Sequence, residues 1–202
     1  MNTTLSNYIE EAKQEFDLIS EERKAALEVI STFVSQKLAQ DGLANLILIC
    51  THNSRRSHLS QVWAQIAVYH YGFTNVFAYS GGTEATAMFP SAANALTRAG
   101  LEISKLSESS NPVYAIKFDE DQPAIIGFSK TYDNPFNPQN GFGAIMTCNH
   151  ADANCPIIFG AERISLPFED PKAFDGTPEQ EAKYDERCRQ VARELLYAFS
   201  KI

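Results

Sequence analysis

The 202-residue chain has no apolar run near the roughly 20 residues a membrane-spanning helix requires, so no such segment and no membrane partner is expected. Its first residues, Met1-Asn2-Thr3-Thr4-Leu5-Ser6, lack the basic-then-apolar order of a signal peptide, which leads to the expectation of a cytoplasmic location. Basic side chains are in the minority, 17 Lys and Arg against 25 Asp and Glu. A net charge of −8 argues against nucleic acid as a partner and makes a locally positive anion site stand out. The 4 cysteines are too few for a secreted disulfide scaffold; in a reducing compartment they point to reactivity, metal binding or packing, and their spacing must decide which. There is no internal repeat and no low-complexity tract. With 44% hydrophobic and 21% charged residues, the chain can bury one sizeable core.

What is present is an alternation of helical and strand patterns. Residues 5 to about 41 are rich in Glu, Lys, Ala and Gln. Leu27, Ile30, Val34 and Leu38 recur every three or four positions there, with Ser20 placed as an N-cap and Asp41-Gly42 closing the run. Residues 1–44 therefore read as an N-terminal helical extension packed on a domain formed by residues 45–202. Leu46–Cys50 is an apolar strand. A helix follows from about Ser54 to Tyr71, with Leu59, Val62, Ile66, Val68 and Tyr69 inward, and Asn75–Ser80 is a second strand. This βαβ unit requires a parallel sheet with a right-handed crossover. Gly81-Gly82 turns the chain towards a helix over Pro90–Gly100 and the short apolar Leu101-Glu102-Ile103, a second crossover. Val113–Phe118 and Ala124–Ser129 alternate around an acidic turn, and Pro135, Pro138 and Gly141 punctuate the stretch beyond them. Residues of about 111–141 are thus expected to be an inserted hairpin and long loop. Phe142–Thr147 is a buried strand ending at Cys148, and Ile164–Pro167 a shorter one ahead of Asp170. Thr177-Pro178-Glu179-Gln180 has the cap, proline and glutamine of a helix start, giving a last helix over about 178–200. The expected class is α/β: an open, mostly parallel, four-stranded twisted sheet flanked by helices.

Cys50 closes the first strand and opens Cys50-Thr51-His52-Asn53-Ser54-Arg55-Arg56-Ser57, which runs without Pro or Gly into a helix. A thiol at the end of a buried strand, an arginine six residues on and a helix behind it make an oxyanion cradle. The N–H groups of the loop and the helix N-terminus hold a tetrahedral anion, Arg56 takes two of its oxygens in a fork, and the same positive field favours a thiolate. Ser57 can donate to the sulfur, Asn53 can fix the loop from inside, and His52 either adds charge or shapes the loop. Ligands in open α/β sheets bind beyond the carboxyl ends of the strands, so parallel strands ending near Cys50, Cys148 and Asp170 bring these residues to one crevice. Asp170 can protonate a leaving oxygen. Cys148 and Cys155, separated by six small or polar residues, can form a disulfide if their loop moves, and a thiol there can attack a sulfur adduct on Cys50. Cys148, His150 and Cys155 are also three possible zinc ligands, but the spacing matches no common structural pattern and no fourth ligand is evident, so no metal is expected. Cys188 in the last helix reads as packing, and His58 and His70 on the first core helix as solvated or capping residues.

Three blocks, Cys50 to Ser57, Thr147-Cys148-Asn149-His150-Ala151-Asp152-Ala153-Asn154-Cys155-Pro156 and Phe168-Glu169-Asp170-Pro171, together resemble the low-molecular-weight protein tyrosine phosphatase superfamily, and within it the thioredoxin-coupled arsenate reductases. The similarity covers roughly residues 45–110 and 142–200. The first and third blocks are common to phosphatases and reductases; the middle one points to the reductases. The resemblance implies that the Cys50 thiolate attacks arsenate held by the loop and Arg56 while Asp170 protonates the departing oxygen. Cys148 then attacks Cys50 and arsenite leaves. Cys155 attacks Cys148, and thioredoxin, an external reductant in place of any bound cofactor, reduces the 148–155 disulfide. The reductases usually have glycine where His52 stands, and some bind potassium through an acidic residue at the position of Gln61, which argues against potassium dependence here. The alternative on the same cradle is a phosphatase acting on phosphotyrosine or a small phosphate ester through a cysteinyl-phosphate, with Cys148 and Cys155 protecting or switching Cys50. A third reading is a phosphoprotein-binding module that turns nothing over.

Overall fold

A computed structural model describes residues 1–154 and 157–202, so Cys155 lies outside the described residues. Two helices open the chain. α1 (Thr3–Gln14) begins where the Asn2 side chain accepts the Leu5 N–H, and α2 (Glu21–Asp41) where the Ser20 hydroxyl accepts the Arg23 N–H and Glu21 and Glu22 sit at the positive end of the helix dipole. Then come β1 (Ala44–Cys50), α3 (Arg56–His70), β2 (Val76–Gly82), α4 (Pro90–Arg98) and β3 (Glu102–Lys105). They are followed by β4 (Tyr114–Lys117), β5 (Ile125–Gly127), β6 (Phe142–Met146), α5 (Asn149–Asn154), β7 (Ala161–Ser165) and α6 (Gln180–Phe199).

The main sheet has the order β2-β1-β6-β7, and every pairing in it is parallel. β1 is apolar at nearly every position because both of its faces are covered. Leu46 and Leu48 join the large cluster built by α1, α2, α3, α4 and α6. Ile47 and Ile49 face a smaller one with Cys50, Phe142, Ala144, Met146, Cys148, Ala151 and Ile158. Gly143 in β6 lets the Phe33 ring lie on the sheet, since a Cβ there would stand 2.9 Å from that ring and from Leu46. Leu5, Ile9, Leu27, Ile30 and Phe33 of the first two helices are fully buried in the same cluster as Leu46 and Leu48. At about 1.5–3 kcal/mol for each large apolar side chain, their burial is comparable to the whole net stability of a domain. The N-terminal helices are therefore part of the core.

Four expectations are corrected. β2 continues through Gly81 and Gly82 instead of turning, and the Gly82 N–H and carbonyl bond to the inserted segment at Lys130 and Tyr132. The second crossover does not return to the sheet. β3 is mostly exposed and, with little apolar face to bury, pairs antiparallel with β4, which pairs with β5 in a separate three-stranded sheet. The fourth strand of the main sheet is Ala161–Ser165, earlier than its apolar residues suggest, because an edge strand tolerates Glu162 and Arg163 and buries only Ile164. The last helix starts at Gln180: Thr177 closes a turn by donating its hydroxyl to the Phe174 carbonyl, and the Gln180 side chain caps the Gly176 N–H.

Candidate active site

The loop from β1 to α3 is held from outside by its carbonyls. That of Cys50 accepts the Thr83 N–H (3.1 Å), that of Thr51 the Glu84 N–H (2.8 Å) and Thr83 hydroxyl (3.1 Å), and that of Ser54 the Phe89 N–H (2.8 Å). The His52 carbonyl accepts the hydroxyls of Thr86 (3.1 Å) and Ser129 (3.0 Å). These carbonyls are thus committed to partners outside the loop, which leaves its N–H groups as the donors for an anion. Gly82 is the floor against which the loop packs: an added Cβ would stand 2.3 Å from the Glu84 carbonyl oxygen and 2.7 Å from the Asn53 nitrogen.

Asn53 has a φ of 43°, a left-handed conformation that Asn reaches more readily than most side chains. Its buried amide bolts the loop, with Nδ2 donating to Ser57 Oγ (2.8 Å) and Oδ1 accepting the Lys130 N–H (2.9 Å). Because Ser57 Oγ already accepts from Asn53, its own proton is free to point at Cys50 Sγ, 3.0 Å away, where it supports a thiolate.

Arg56 is the first residue of α3. Its guanidinium donates to the Phe168 carbonyl (3.1 Å) and to Asp170 Oδ2 (2.5 Å), while Asp170 Oδ1 accepts the Lys172 N–H. The segment after β7 thus carries Asp170 to the rim of the loop. Arg55, grouped in the sequence with the anion-binding residues, turns its side chain away. It lies 4.0 Å over the Phe89 ring and donates to Tyr184 Oη and Asp175 Oδ2, and Tyr184 also donates to Asp175 (2.7 Å). His52 is at the surface, 3.8 Å from Glu84.

Cys148 is fully buried at the end of β6. The preceding Thr147 donates both its N–H (2.7 Å) and its hydroxyl (2.8 Å) to the Ile49 carbonyl, which pins this strand end beside that of β1. Cys148 Sγ accepts the Ala151 N–H (3.3 Å) and lies 3.5 Å from Thr51 Oγ1, the hydroxyl next in sequence to Cys50. Thr51 Oγ1 is also 3.3 Å from His150 Nδ1. Cys188 is remote from these groups: Trp63 donates to it (3.2 Å), and burial pushes its thiol up to about 11, so it stays protonated.

Two buried bases behind the loop escaped the sequence reading. His58 is fully buried, and burial together with the Lys130 charge takes its imidazole down to about 3, so it is neither solvated nor a cap. Lys130, 2% exposed, has its ammonium over the rings of Phe128 (4.5 Å) and Phe136 (5.2 Å), and burial lowers it to about 8. An isolated lysine inside a punctuated insertion gives no periodic signal; only its neighbours in sequence, Phe128 and Ser129, hint that this segment packs inward.

No family model matches the chain. The fold, a four-stranded parallel sheet flanked by helices, is that of low-molecular-weight phosphatase-like proteins. Among solved structures, an arsenate reductase in the phosphate-binding state aligns with a TM-score of 0.54 at 16% identity, over 79% of this chain and 99% of that one. A low-molecular-weight protein tyrosine phosphatase from T. tengcongensis aligns with a TM-score of 0.50 at 12% identity, again over 79% and 99%. In sequence, the chain is 28% identical over 158 residues to an arsenate reductase of Bacillus licheniformis, covering 77% of this chain and 94% of the relative. It is 25% identical over 157 residues to an arsenate reductase of Halalkalibacterium halodurans, with the same coverage. The chain therefore has the fold of the low-molecular-weight protein tyrosine phosphatases and is similar in sequence to arsenate reductases.

Proposed function

We propose that the protein is an arsenate reductase working through a thiol relay. The Cys50 thiolate, supported by Ser57, attacks arsenic in an arsenate held by the loop N–H groups and Arg56, and Asp170 protonates the oxygen that departs as water. Cys148 as thiolate then attacks Cys50 Sγ. The S–S bond forms, the S–As bond breaks and its electron pair stays on arsenic, which leaves as arsenite; the two thiolates have together given up two electrons. Cys155 attacks Cys148 in turn, releases Cys50 and leaves a 148–155 disulfide for thioredoxin to reduce. The observation that carries this reading is the burial of Cys148 against Thr51, within the packed cluster that also holds Cys50. Hydrolysis of a phosphate ester has no need of a second thiol there. Two relatives named arsenate reductase support the same direction.

The test is a side-by-side assay of arsenate reduction and phosphate-ester hydrolysis on one preparation. Cys148→Ser and Cys155→Ser should each abolish multiple-turnover arsenate reduction with thioredoxin and leave ester hydrolysis largely intact, while Cys50→Ser removes both. Arsenate reduction that survives the first two changes overturns the relay. Ester hydrolysis without arsenate reduction in the unaltered protein identifies a phosphatase, and turnover of neither identifies a binding module. Asp170→Asn should slow the first chemical step; an unchanged single-turnover rate removes that role.

A further inference from the structure

The three-membered contact of Cys148, Thr51 and His150 has a chemical direction. A thiol attacks as its thiolate, and Cys148 is fully buried in an apolar cluster, out of contact with bulk solvent. Its sulfur lies 3.5 Å from Thr51 Oγ1, and that oxygen lies 3.3 Å from His150 Nδ1 on the exposed first turn of α5. A hydroxyl has one proton to donate and lone pairs to accept with. If it donates to Nδ1, the deprotonated nitrogen of a neutral imidazole, its oxygen accepts the Cys148 S–H, and all three groups are satisfied in one sense. Among the described residues, Asp152 on α5 bonds Arg163 and Ser165, Arg56 pairs with Asp170, and His52 lies opposite Glu84.

We propose that His150 is the proton acceptor that activates Cys148, acting through the Thr51 hydroxyl. The Cys148 proton passes to Thr51 Oγ1 as the Thr51 proton passes to His150 Nδ1, giving a Cys148 thiolate and an imidazolium that returns its proton to solvent. Thr51, having received the thiol proton, is then oriented to donate back to the thiolate, which already accepts the Ala151 N–H at 3.3 Å. Buried nucleophile and exposed base are thus joined by a single hydroxyl. Histidine suits this task because it is the side chain that exchanges a proton near neutral pH. His150 is a positioning and proton-accepting residue here, one atom removed from the reacting sulfur. The inference rests on Cys148 attacking Cys50, the second step of the proposed relay.

The test uses the full chain carrying Cys155→Ser, so that the reaction stops at a 50–148 disulfide, and it needs no arsenate. Hydrogen peroxide converts the Cys50 thiolate to a sulfenic acid; Cys148 then attacks that sulfur and expels hydroxide. The disulfide is followed by mass spectrometry, and the waiting sulfenic acid by trapping with dimedone. His150→Ala should slow disulfide formation about 100-fold, at the lower end of what a positioned proton-transfer group contributes, with trapped sulfenic acid accumulating instead. Added free imidazole should restore the rate, which a merely structural role of His150 would not allow. Thr51→Ser should keep the fast rate and Thr51→Val lose it even with imidazole. An unchanged rate in His150→Ala, or a slow rate that imidazole does not rescue, overturns the proposal and leaves the relay standing. Absence of any 50–148 disulfide in the parent overturns the relay and the proposal together.

Discussion

Replacing Lys130 with methionine should stabilise the protein, although it removes a charge from the wall of an anion-binding loop. Lys130 is almost fully buried, its ammonium approaches the Phe128 carbonyl at only 3.5 Å, and burial lowers it from 10.5 to about 8. That difference of 2.5 pH units (10.5 − 8) corresponds to about 3 kcal/mol of unfavourable desolvation in the charged form. Methionine, which keeps the length of the stem, removes the charge and should gain roughly 1–3 kcal/mol at pH 7.

The pH dependence separates this account from simple repacking. Between pH 8 and 10.5 the unfolded chain still binds the lysine proton and the folded chain does not, so the unaltered protein gains stability as pH rises through that window. The advantage of Lys130→Met should be flat below pH 8 and then shrink by about 1.4 kcal/mol per pH unit towards pH 10.5. Urea titrations of both proteins at pH 7, 8 and 9.5 read this directly as midpoint differences. A difference independent of pH, or a variant less stable at pH 7, would refute the claim that a desolvated ammonium sits there.

His58 should produce the opposite limb. Its imidazole stays neutral in the fold down to about 3 and an unfolded histidine takes its proton near 6.5, so stability falls as pH drops through that window, by about 2 kcal/mol at pH 5. Urea titrations at pH 7 and 5 should show His58→Leu losing that much less than the unaltered protein; equal losses would remove His58 as the cause. Gly82→Ala drives a Cβ into the backbone of the loop at Glu84, Asn53 and Thr51, so thermal melts should show phosphate stabilising the unaltered protein and barely affecting the variant. A variant still protected by phosphate would show that the loop yields there. Asp175→Ala strips Arg55 and Tyr184 of their shared acceptor and should cost about 1–3 kcal/mol in chemical denaturation; a loss below that range would mean that water replaces the carboxylate.

The sequence discloses those parts of the fold in which one residue type does one job over a short span. The run Leu46–Cys50 marks a strand covered on both faces, Ser20 marks a helix start, and a cysteine followed six residues later by arginine marks the cradle. Asn53 could be anticipated as a bolt because a left-handed position without glycine suits an asparagine. Partners chosen across long separations were hidden. Arg55 and Arg56 are adjacent and chemically alike, and only Tyr184 and Asp175, contributed from the far end of the chain, draw one of them out of the cradle. Thr177 has the composition of a cap and its hydroxyl does accept the Glu179 N–H (3.3 Å), but it also closes a turn by donating to the Phe174 carbonyl, and the helix proper begins only at Gln180. His58 follows Arg56 and Ser57 at a helix start, where a polar side chain is ordinarily at the surface; it is buried because the inserted segment covers that turn.

That covering makes the insertion and the cradle one structural unit. The loop carries no glycine between Cys50 and Ser57, so its shape cannot come from backbone freedom alone and is imposed by bonds from outside. Part of that outer frame, Thr83, Glu84, Thr86 and Phe89, follows directly on β2. The rest comes from the insertion: Ser129 on the His52 carbonyl, the Lys130 N–H on Asn53 Oδ1, and the Lys130 carbonyl on the Gly82 N–H. Excising the insertion would orphan buried groups on Asn53 and Gly82, each at a cost of about 1–3 kcal/mol, and would release the residue that aligns Ser57 with Cys50. A segment that reads in sequence as an inserted hairpin and loop thus sets the geometry of the Cys50 thiol.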